Sequence, residues 1–158
     1  MYTILEEFLE LKKILKSFDG LEKKYNWLLT DLDWYCPEDC IHYFADDRIF
    51  NSNSDRLNTY WITGENLTKL ANVQNVYFIW GVFSAFYKEE IIDLDTIKPY
   101  ADGNPNFWVK NPKIQHPKAV VELVLWDSSS ILLLSKDDEI TNTFRNSFKG
   151  WQDLNNYN

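Results

Sequence analysis

The hydrophobic pattern at the start of the chain has the spacing of an amphipathic helix. Apolar side chains recur three or four positions apart, and glutamates precede lysines in the same stretch, as the helix dipole favours. The repeating apolar positions are Ile4, Phe8, Leu11 and Leu15. The pattern predicts a helix over residues 3–18, ended by Gly20 in a left-handed conformation.

Several later segments have the pattern of β-strands. Residues 26–34 alternate, which would place Leu28 and Leu32 on one face and Asp31 and Asp33 on the other. Residues 76–87 form the most apolar segment, rich in β-branched and aromatic side chains, and predict a central strand. The other predicted strands are residues 41–44, 48–50, 59–62, 118–126 and 130–135, the last two joined as a hairpin.

Two further helices and one long loop complete the predicted elements. Thr63 has the position of an N-cap for a short helix, and Ser135 that of an N-cap for a final helix. Residues 96–117 contain four of the five prolines and predict an ordered but irregular loop. Residues 151–158 predict a polar tail.

This order of elements predicts a single α+β domain over residues 1–158. Adjacent strands without helices between them favour a mostly antiparallel sheet over a doubly wound parallel one. The sheet would be covered by an N-terminal helix, a C-terminal helix and one short helix.

The net charge of the chain limits the classes of partner that it is expected to bind. The formal net charge is −8 at pH 7, which argues against nucleic acid and anionic membranes as partners, because both require clustered lysine and arginine. The negative net charge favours a basic protein as the partner. The sequence shows neither a signal peptide nor an apolar run approaching the roughly 18 residues of a membrane helix, so we expect a cytoplasmic protein.

Acidic residues are clustered beside aromatic ones. Residues 31–47 contain six acids and no lysine or arginine, and a second acidic block lies in residues 89–95. Because aromatic side chains dominate protein interfaces and acids attract a cationic partner, both blocks and Trp108 in the long loop are candidate partner-binding residues. The candidates are Asp31, Asp33, Trp34, Tyr35, Glu38, Asp39, Asp46, Asp47, Glu89, Glu90, Asp93, Asp95 and Trp108.

The two cysteines do not have the spacing of a metal site. Cys36, Cys40 and His42 offer three ligands, but no fourth ligand has a spacing typical of zinc. We predict reduced, partly buried cysteines, no metal and no cofactor.

One motif is typical of an enzyme. An apolar strand that ends in Asp31-x-Asp33 resembles the first motif of haloacid-dehalogenase-type phosphatases, in which an aspartate attacks phosphorus with the help of Mg²⁺. Asp137 and Asp138 could imitate the acidic pair that holds that metal, but they are better explained as a helix N-terminus. The prediction is therefore a protein with no catalytic residues, with a Mg²⁺-dependent phosphohydrolase as one alternative. The other is a small-molecule or peptide-binding module lined by Trp34, Trp108 and His116.

Three stretches resemble a known class of bacterial proteins. They are residues 26–34 (NWLLTDLDW), residues 61–80 (WITGENLTKLANVQNVYFIW) and residues 99–127, with YADGNPNFW, IQHP and ELVLWDSS. They are similar to small proteins found beside polymorphic toxins, including the immunity partners of contact-dependent inhibition and Rhs-type toxins. The resemblance implies a protein that binds and neutralises a cognate toxin domain, commonly a cationic nuclease. It implies no catalytic residues, and it leaves the oligomeric state open.

Overall fold

A computed structural model describes residues 1–37, 40–44, 59–94 and 96–157 of the chain. In chain order its strands are β1 Tyr2–Leu5, β2 Tyr25–Tyr35, β3 Tyr60–Thr63, β4 Tyr77–Tyr87, β5 Val121–Trp126, β6 Ser130–Ser135 and β7 Gln152–Asp153. Its helices are α1 Leu11–Ser17, α2 Gly64–Ala71 and α3 Asp138–Ser147. The strands form one antiparallel sheet in the order β3-β2-β4-β5-β6-β1-β7. The predicted α+β class with a mostly antiparallel sheet is confirmed.

The two faces of the sheet are covered by different kinds of structure. On the helix face, the three helices bury an apolar core that includes Ile14, Leu67 and Phe144 against Leu29 and Phe83 of the central strands. On the loop face, the long connection between β4 and β5 covers the sheet. Its buried side chains there are Ile92, Leu94, Ala101, Phe107 and Ala119. The predicted loop is thus a third layer of the fold.

The N-terminal helix prediction is wrong for its first part. Tyr2–Leu5 is a strand whose Tyr2 pairs with Leu134 and whose Leu5 pairs with Ile131 of β6. Ile4 lies on the loop face and Leu5 on the helix face, as alternation in a strand requires. Helix α1 begins only at Leu11. Pairing with a strand about 130 residues away in the sequence decides the structure of this segment.

Three other predictions about local structure need correction. The predicted strand at residues 41–44 is a 3-10 turn, Cys40–Tyr43, and the predicted strand at residues 48–50 lies outside the described residues. The N-cap of α3 is Asp137, whose Oδ1 accepts the N–H groups of Glu139 and Ile140, while the Ser135 hydroxyl bonds to the backbone of Asp137. The C-terminal segment contributes strand β7 and the buried Leu154, so it is not a free polar tail. The Thr63 N-cap is confirmed, since its hydroxyl accepts the Asn66 N–H at 3.2 Å.

The pairing of β2 with β4 contains two irregularities, and each one shifts which side chains lie on which face of the sheet. Thr30 pairs with Val82, Asp33 with Trp80 and Trp34 with Phe78. Strand β2 therefore has an extra residue before Asp33, where Asp31 has a φ of 51°, and β4 has an extra residue between Phe78 and Trp80.

The exchange of faces corrects the predicted alternation of β2. Leu28 lies on the loop face, whereas Leu32 and Trp34 lie in the helix-face core. Asp33, paired with Trp80, is on the loop face, because cross-strand partners share a face.

Candidate functional site

A row of aromatic side chains crosses the loop face at one end of the sheet. The Trp80 and Trp126 rings, on neighbouring strands, have centroids 4.9 Å apart, and the Trp108 ring of the long loop lies 4.9 Å from that of Trp126. Tyr157 follows, 5.8 Å from Trp108. Trp108 retains 40% of its surface exposed, while Trp80, Trp126 and Tyr157 are half-buried. The row therefore packs on the loop-face core with one side and presents the rest of its aromatic surface to solvent.

The row is extended by two tyrosines where β2 and β4 run beyond the other strands. Tyr35 and Tyr77 are cross-strand partners with stacked rings 5.4 Å apart, and they are 49% and 45% exposed. An exposed pair of this kind is common at protein interfaces, because tyrosine combines a rigid ring with a polar tip.

Carboxylates lie beside these rings. Asp33 is the cross-strand partner of Trp80, and Asp127 follows Trp126 in the hairpin turn. The Tyr157 hydroxyl donates a hydrogen bond to Glu6 at 2.6 Å, and this bond raises the pKa of Tyr157. We call the set Tyr35, Tyr77, Asp33, Trp80, Trp126, Asp127, Trp108, Tyr157 and Glu6 the tryptophan surface. It combines large aromatic rings with carboxylates on one face of the molecule.

Asp31 has a different role from Asp33. Its Oδ2 accepts the backbone N–H groups of Ala101 and Asp102 at 2.8 and 2.9 Å. The neighbouring Thr30 hydroxyl donates to the Pro99 carbonyl at 2.6 Å. These three hydrogen bonds hold residues 99–102 of the long loop on the sheet, so the half-buried Asp31 carboxylate is an anchor for the loop that carries Trp108.

A buried polar network fixes the rest of that loop. The Glu122 side chain, fully buried on β5, accepts the Gln115 backbone N–H at 2.9 Å and the Gln115 Nε2–H at 3.1 Å. Gln115 in turn accepts hydrogen bonds from the Tyr100 N–H and the Asn104 amide. Burial raises the pKa of Glu122 to about 7, although hydrogen bonds from Gln115 and from the His116 backbone favour its charged form. The loop is therefore held over the sheet at both ends.

The second acidic block lies at the other end of β4. Trp80 and Tyr87 are seven residues apart on one strand, a separation of about 23 Å at strand geometry. Glu90 forms an ion pair with Lys118 at 2.8 Å, whereas Glu89 and Asp93 are exposed. The structure does not bring this block together with the tryptophan surface.

The remaining predicted partner-binding residues divide into two groups. Trp34 is half-buried in the helix-face core, stacked on Phe78 at 5.2 Å and in contact with Phe44 and Tyr60, so it is a structural residue. The other group, Glu38, Asp39, Asp46, Asp47 and Asp95, lies outside the described residues.

The cysteine prediction is wrong in one respect. Cys36 and Cys40 are joined by a disulfide that connects the end of β2 to the 3-10 turn, so they are not reduced. His42 is exposed and its ring lies against Tyr43, with centroids 4.0 Å apart. Within the described part of the chain, no group of three or more histidine, cysteine, aspartate or glutamate side chains is placed to hold a metal ion.

The residues of the two alternative functions are not assembled into one site. Asp137 caps α3 and accepts a hydrogen bond from Tyr25, whereas Asp31 anchors the loop on the opposite face of the sheet. Trp34 faces the helices. His116 is buried on the loop face against Phe86, with ring centroids 4.8 Å apart, and burial lowers its pKa.

Sequence reasoning missed Trp80, Trp126, Tyr77 and Tyr157 as surface residues. Tryptophans in strands usually fill cores, so a strand pattern alone does not mark Trp80 and Trp126 as surface residues. A usable signal was the position of Trp126 as the last residue before a hairpin turn, where a strand meets solvent.

Comparisons of the chain with protein-family models, curated proteins and solved structures give no match. Among the described residues, no helix is both long and apolar enough to cross a membrane.

Proposed function

We propose that this chain is an immunity-type inhibitor, a protein without turnover that binds and neutralises a cationic toxin domain through the tryptophan surface. The observation that supports the proposal most is the partial exposure of clustered aromatic rings beside carboxylates on the sheet. A partially exposed tryptophan on a fixed scaffold loses little conformational freedom on binding, and such residues dominate binding energies.

The carboxylates of the tryptophan surface indicate that the proposed partner is positively charged. Asp33 and Glu6 lie beside the rings, Asp127 directly follows Trp126 in the hairpin turn, and the chain as a whole has a formal net charge of −8. Acids at the rim of an interface accelerate association with a basic protein and select its orientation. The aromatic rings would then slow dissociation.

The assignment of the partner as a toxin domain depends on the sequence resemblance. The three stretches that carry it include parts of the tryptophan surface: residues 26–34 contain Asp33, residues 61–80 contain Tyr77 and Trp80, and residues 99–127 contain Trp108 and Trp126. The second acidic block is not part of the proposed interface, because it lies at the opposite end of the sheet.

The proposed compartment is the cytoplasm, where an immunity protein would meet an incoming toxin. The Cys36–Cys40 disulfide is the feature that opposes this assignment, because disulfides persist mainly in oxidising compartments. Alkylation of the two thiols in freshly lysed cells distinguishes the compartments: modified cysteines support the cytoplasm and unmodified ones contradict it.

Co-expression with the product of the neighbouring gene, which the proposal expects to carry a toxin domain, tests the proposal. We expect the wild-type chain to protect cells, Trp108→Ala to lose protection and Trp151→Ala to retain it. Trp151 is a matched control because it is 36% exposed, close to the 40% of Trp108, but packs against Arg145 of α3. Failure of the wild-type chain to protect, with soluble folded protein present, would contradict the proposal.

A further inference from the structure

A groove opens on the loop face at the end of the sheet opposite to the tryptophan surface. Its volume is about 460 Å³, within the range of roughly 300–1,000 Å³ that small-molecule sites occupy. One wall consists of Tyr2 on β1 and Ser135 at the end of β6. The other wall is the 113–117 segment of the long loop, with Ile114 and Pro117.

The apolar part of the groove is continuous with the core. Tyr2 and Ile114 are half-buried and pack against the buried cluster that contains Ile4 and Leu134. An apolar group seated on these side chains would remove their remaining surface from water, which stabilises a complex by about 25 cal/mol for each Å² buried.

Among the described residues, two lysines at this groove have no acidic partner. Lys113 and Lys136 both line it, and no carboxylate of the described residues lies within ion-pair distance of either. By contrast, Lys24, Lys88 and Lys118 each pair with a glutamate within 2.8 Å. Lys113 and Lys136 thus place two positive charges at one groove of a chain whose formal net charge is −8.

The position of one of these ammonium groups is fixed by the fold. Lys136 Nζ donates to the Ala119 carbonyl at 2.8 Å and to the Pro117 carbonyl at 3.3 Å. These bonds hold the charge beside the groove, so that little side-chain freedom remains to be lost on binding. Asp138 also lines the groove and contributes one negative charge against the two lysines.

We infer that this groove binds an organic anion with an apolar body, a carboxylate or a phosphate monoester on an alkyl or aryl group. The anionic head contacts Lys113 and Lys136, and the apolar body lies on Tyr2 and Ile114. A second cavity of about 420 Å³ on the other side of Lys113 and Ile114 gives a longer ligand room to extend toward Asn106 and Asn111. This site is separate from the proposed inhibitor interface, and it does not depend on it.

Titration of the full-length protein with octanoate, octyl phosphate and octanol tests the inference, with affinities from calorimetry and positions from amide chemical shifts. We expect a single binding site, with the largest changes in amide chemical shift around Ile114 and Lys136. Octanol should bind at least tenfold more weakly than the two anions. Stronger binding of octyl phosphate than of octanoate identifies a phosphate ligand, and the reverse order identifies a carboxylate. Equal affinity for octanol, shifts elsewhere, or no binding at millimolar concentration would overturn the inference.

Three variants sharpen the test, because their expected effects on the affinity for the anion differ in sign. Lys113→Gln and Lys136→Gln should each weaken anion binding about tenfold, the loss expected for one charge-assisted hydrogen bond. Asp138→Asn should tighten binding, since it removes the repelling charge. Lys12→Gln, an exposed lysine on α1, is the matched control and should change nothing. Equal affinity of Lys113→Gln, Lys136→Gln and Lys12→Gln would refute the assignment of the anionic head to these lysines.

Discussion

Replacement of Glu122 by glutamine tests whether the fold contains a buried carboxylate of raised pKa beneath the long loop. Burial raises the pKa of Glu122 from 4.5 to about 7. Between these pH values the folded protein keeps a proton on Glu122 that the unfolded chain has lost. The free energy of unfolding contributed by this proton is therefore fully present below about pH 4.5, and it is lost as the pH rises to about 7.

The expected size of this effect follows from the two pKa values. Each pH unit between them corresponds to about 1.4 kcal/mol, which gives a loss on the order of 3 kcal/mol for the wild-type protein relative to a variant that cannot titrate at this position. Glutamine has nearly the same shape, but its amide nitrogen would face one of the N–H groups of Gln115. That mismatch costs a constant amount at every pH and does not alter the pH dependence.

The assay is urea denaturation of wild type and Glu122→Gln between about pH 4 and pH 8, within which the predicted change is complete. The free energy of unfolding of wild type minus that of the variant should fall by about 3 kcal/mol across this range. Other titrating groups cancel in the difference. Glu89→Gln, an exposed glutamate in the second acidic block, is the control and should stay within about 0.5 kcal/mol of wild type. A constant or rising difference for Glu122→Gln would refute the reasoning.

Three further predictions concern stability. Asp31→Ala removes the acceptor of two backbone N–H groups and should lower the free energy of unfolding by about 1–3 kcal/mol in urea; no change would show that the loop does not need this anchor. Gly64→Ala places a Cβ 2.1 Å from the Glu22 backbone oxygen, so thermal unfolding should show a loss of about 3 kcal/mol or more, and a wild-type melting curve would contradict that contact. Reduction of the Cys36–Cys40 disulfide should cost about 2 kcal/mol, the chain-entropy value for a short loop, and an identical urea midpoint with and without reductant would exclude a stabilising bond.

The sequence predicts best those elements in which the hydrophobic pattern and the length of the segment indicate the same secondary structure. The apolar run at residues 76–87, the hairpin of β5 and β6 and the Thr63 N-cap are all found in the structure, because local preference and burial favour the same conformation there. The predicted loop at residues 96–117 is found as well, since four prolines exclude regular pairing.

The errors have physical causes that a local pattern does not contain. Residues 2–5 fit a helical repeat, but they pair with β6 at the far end of the chain. The extra residue at Asp31 moves Leu32 and Trp34 to the helix face, and simple alternation carries no sign of such a bulge.

The candidate surface was predictable only in part. Charge clustering and loop position predict Asp33, Tyr35 and Trp108 as partner-binding residues, and all three are part of the tryptophan surface. Trp80 and Trp126 connect them across neighbouring strands. Their contribution depends on strand order, which one sequence does not reveal.

Calorimetric titration of the toxin domain expected in the neighbouring gene product into wild-type protein, Trp108→Ala and Trp151→Ala is the most direct test of the proposed interface. We expect a one-to-one complex for wild type, an affinity about 30-fold weaker or worse for Trp108→Ala, as expected for a loss of about 2 kcal/mol, and no change for Trp151→Ala. Binding should also weaken as the salt concentration rises. Absence of a complex with folded wild-type protein, or equal affinity of all three proteins, would show that the tryptophan surface is not an inhibitor interface.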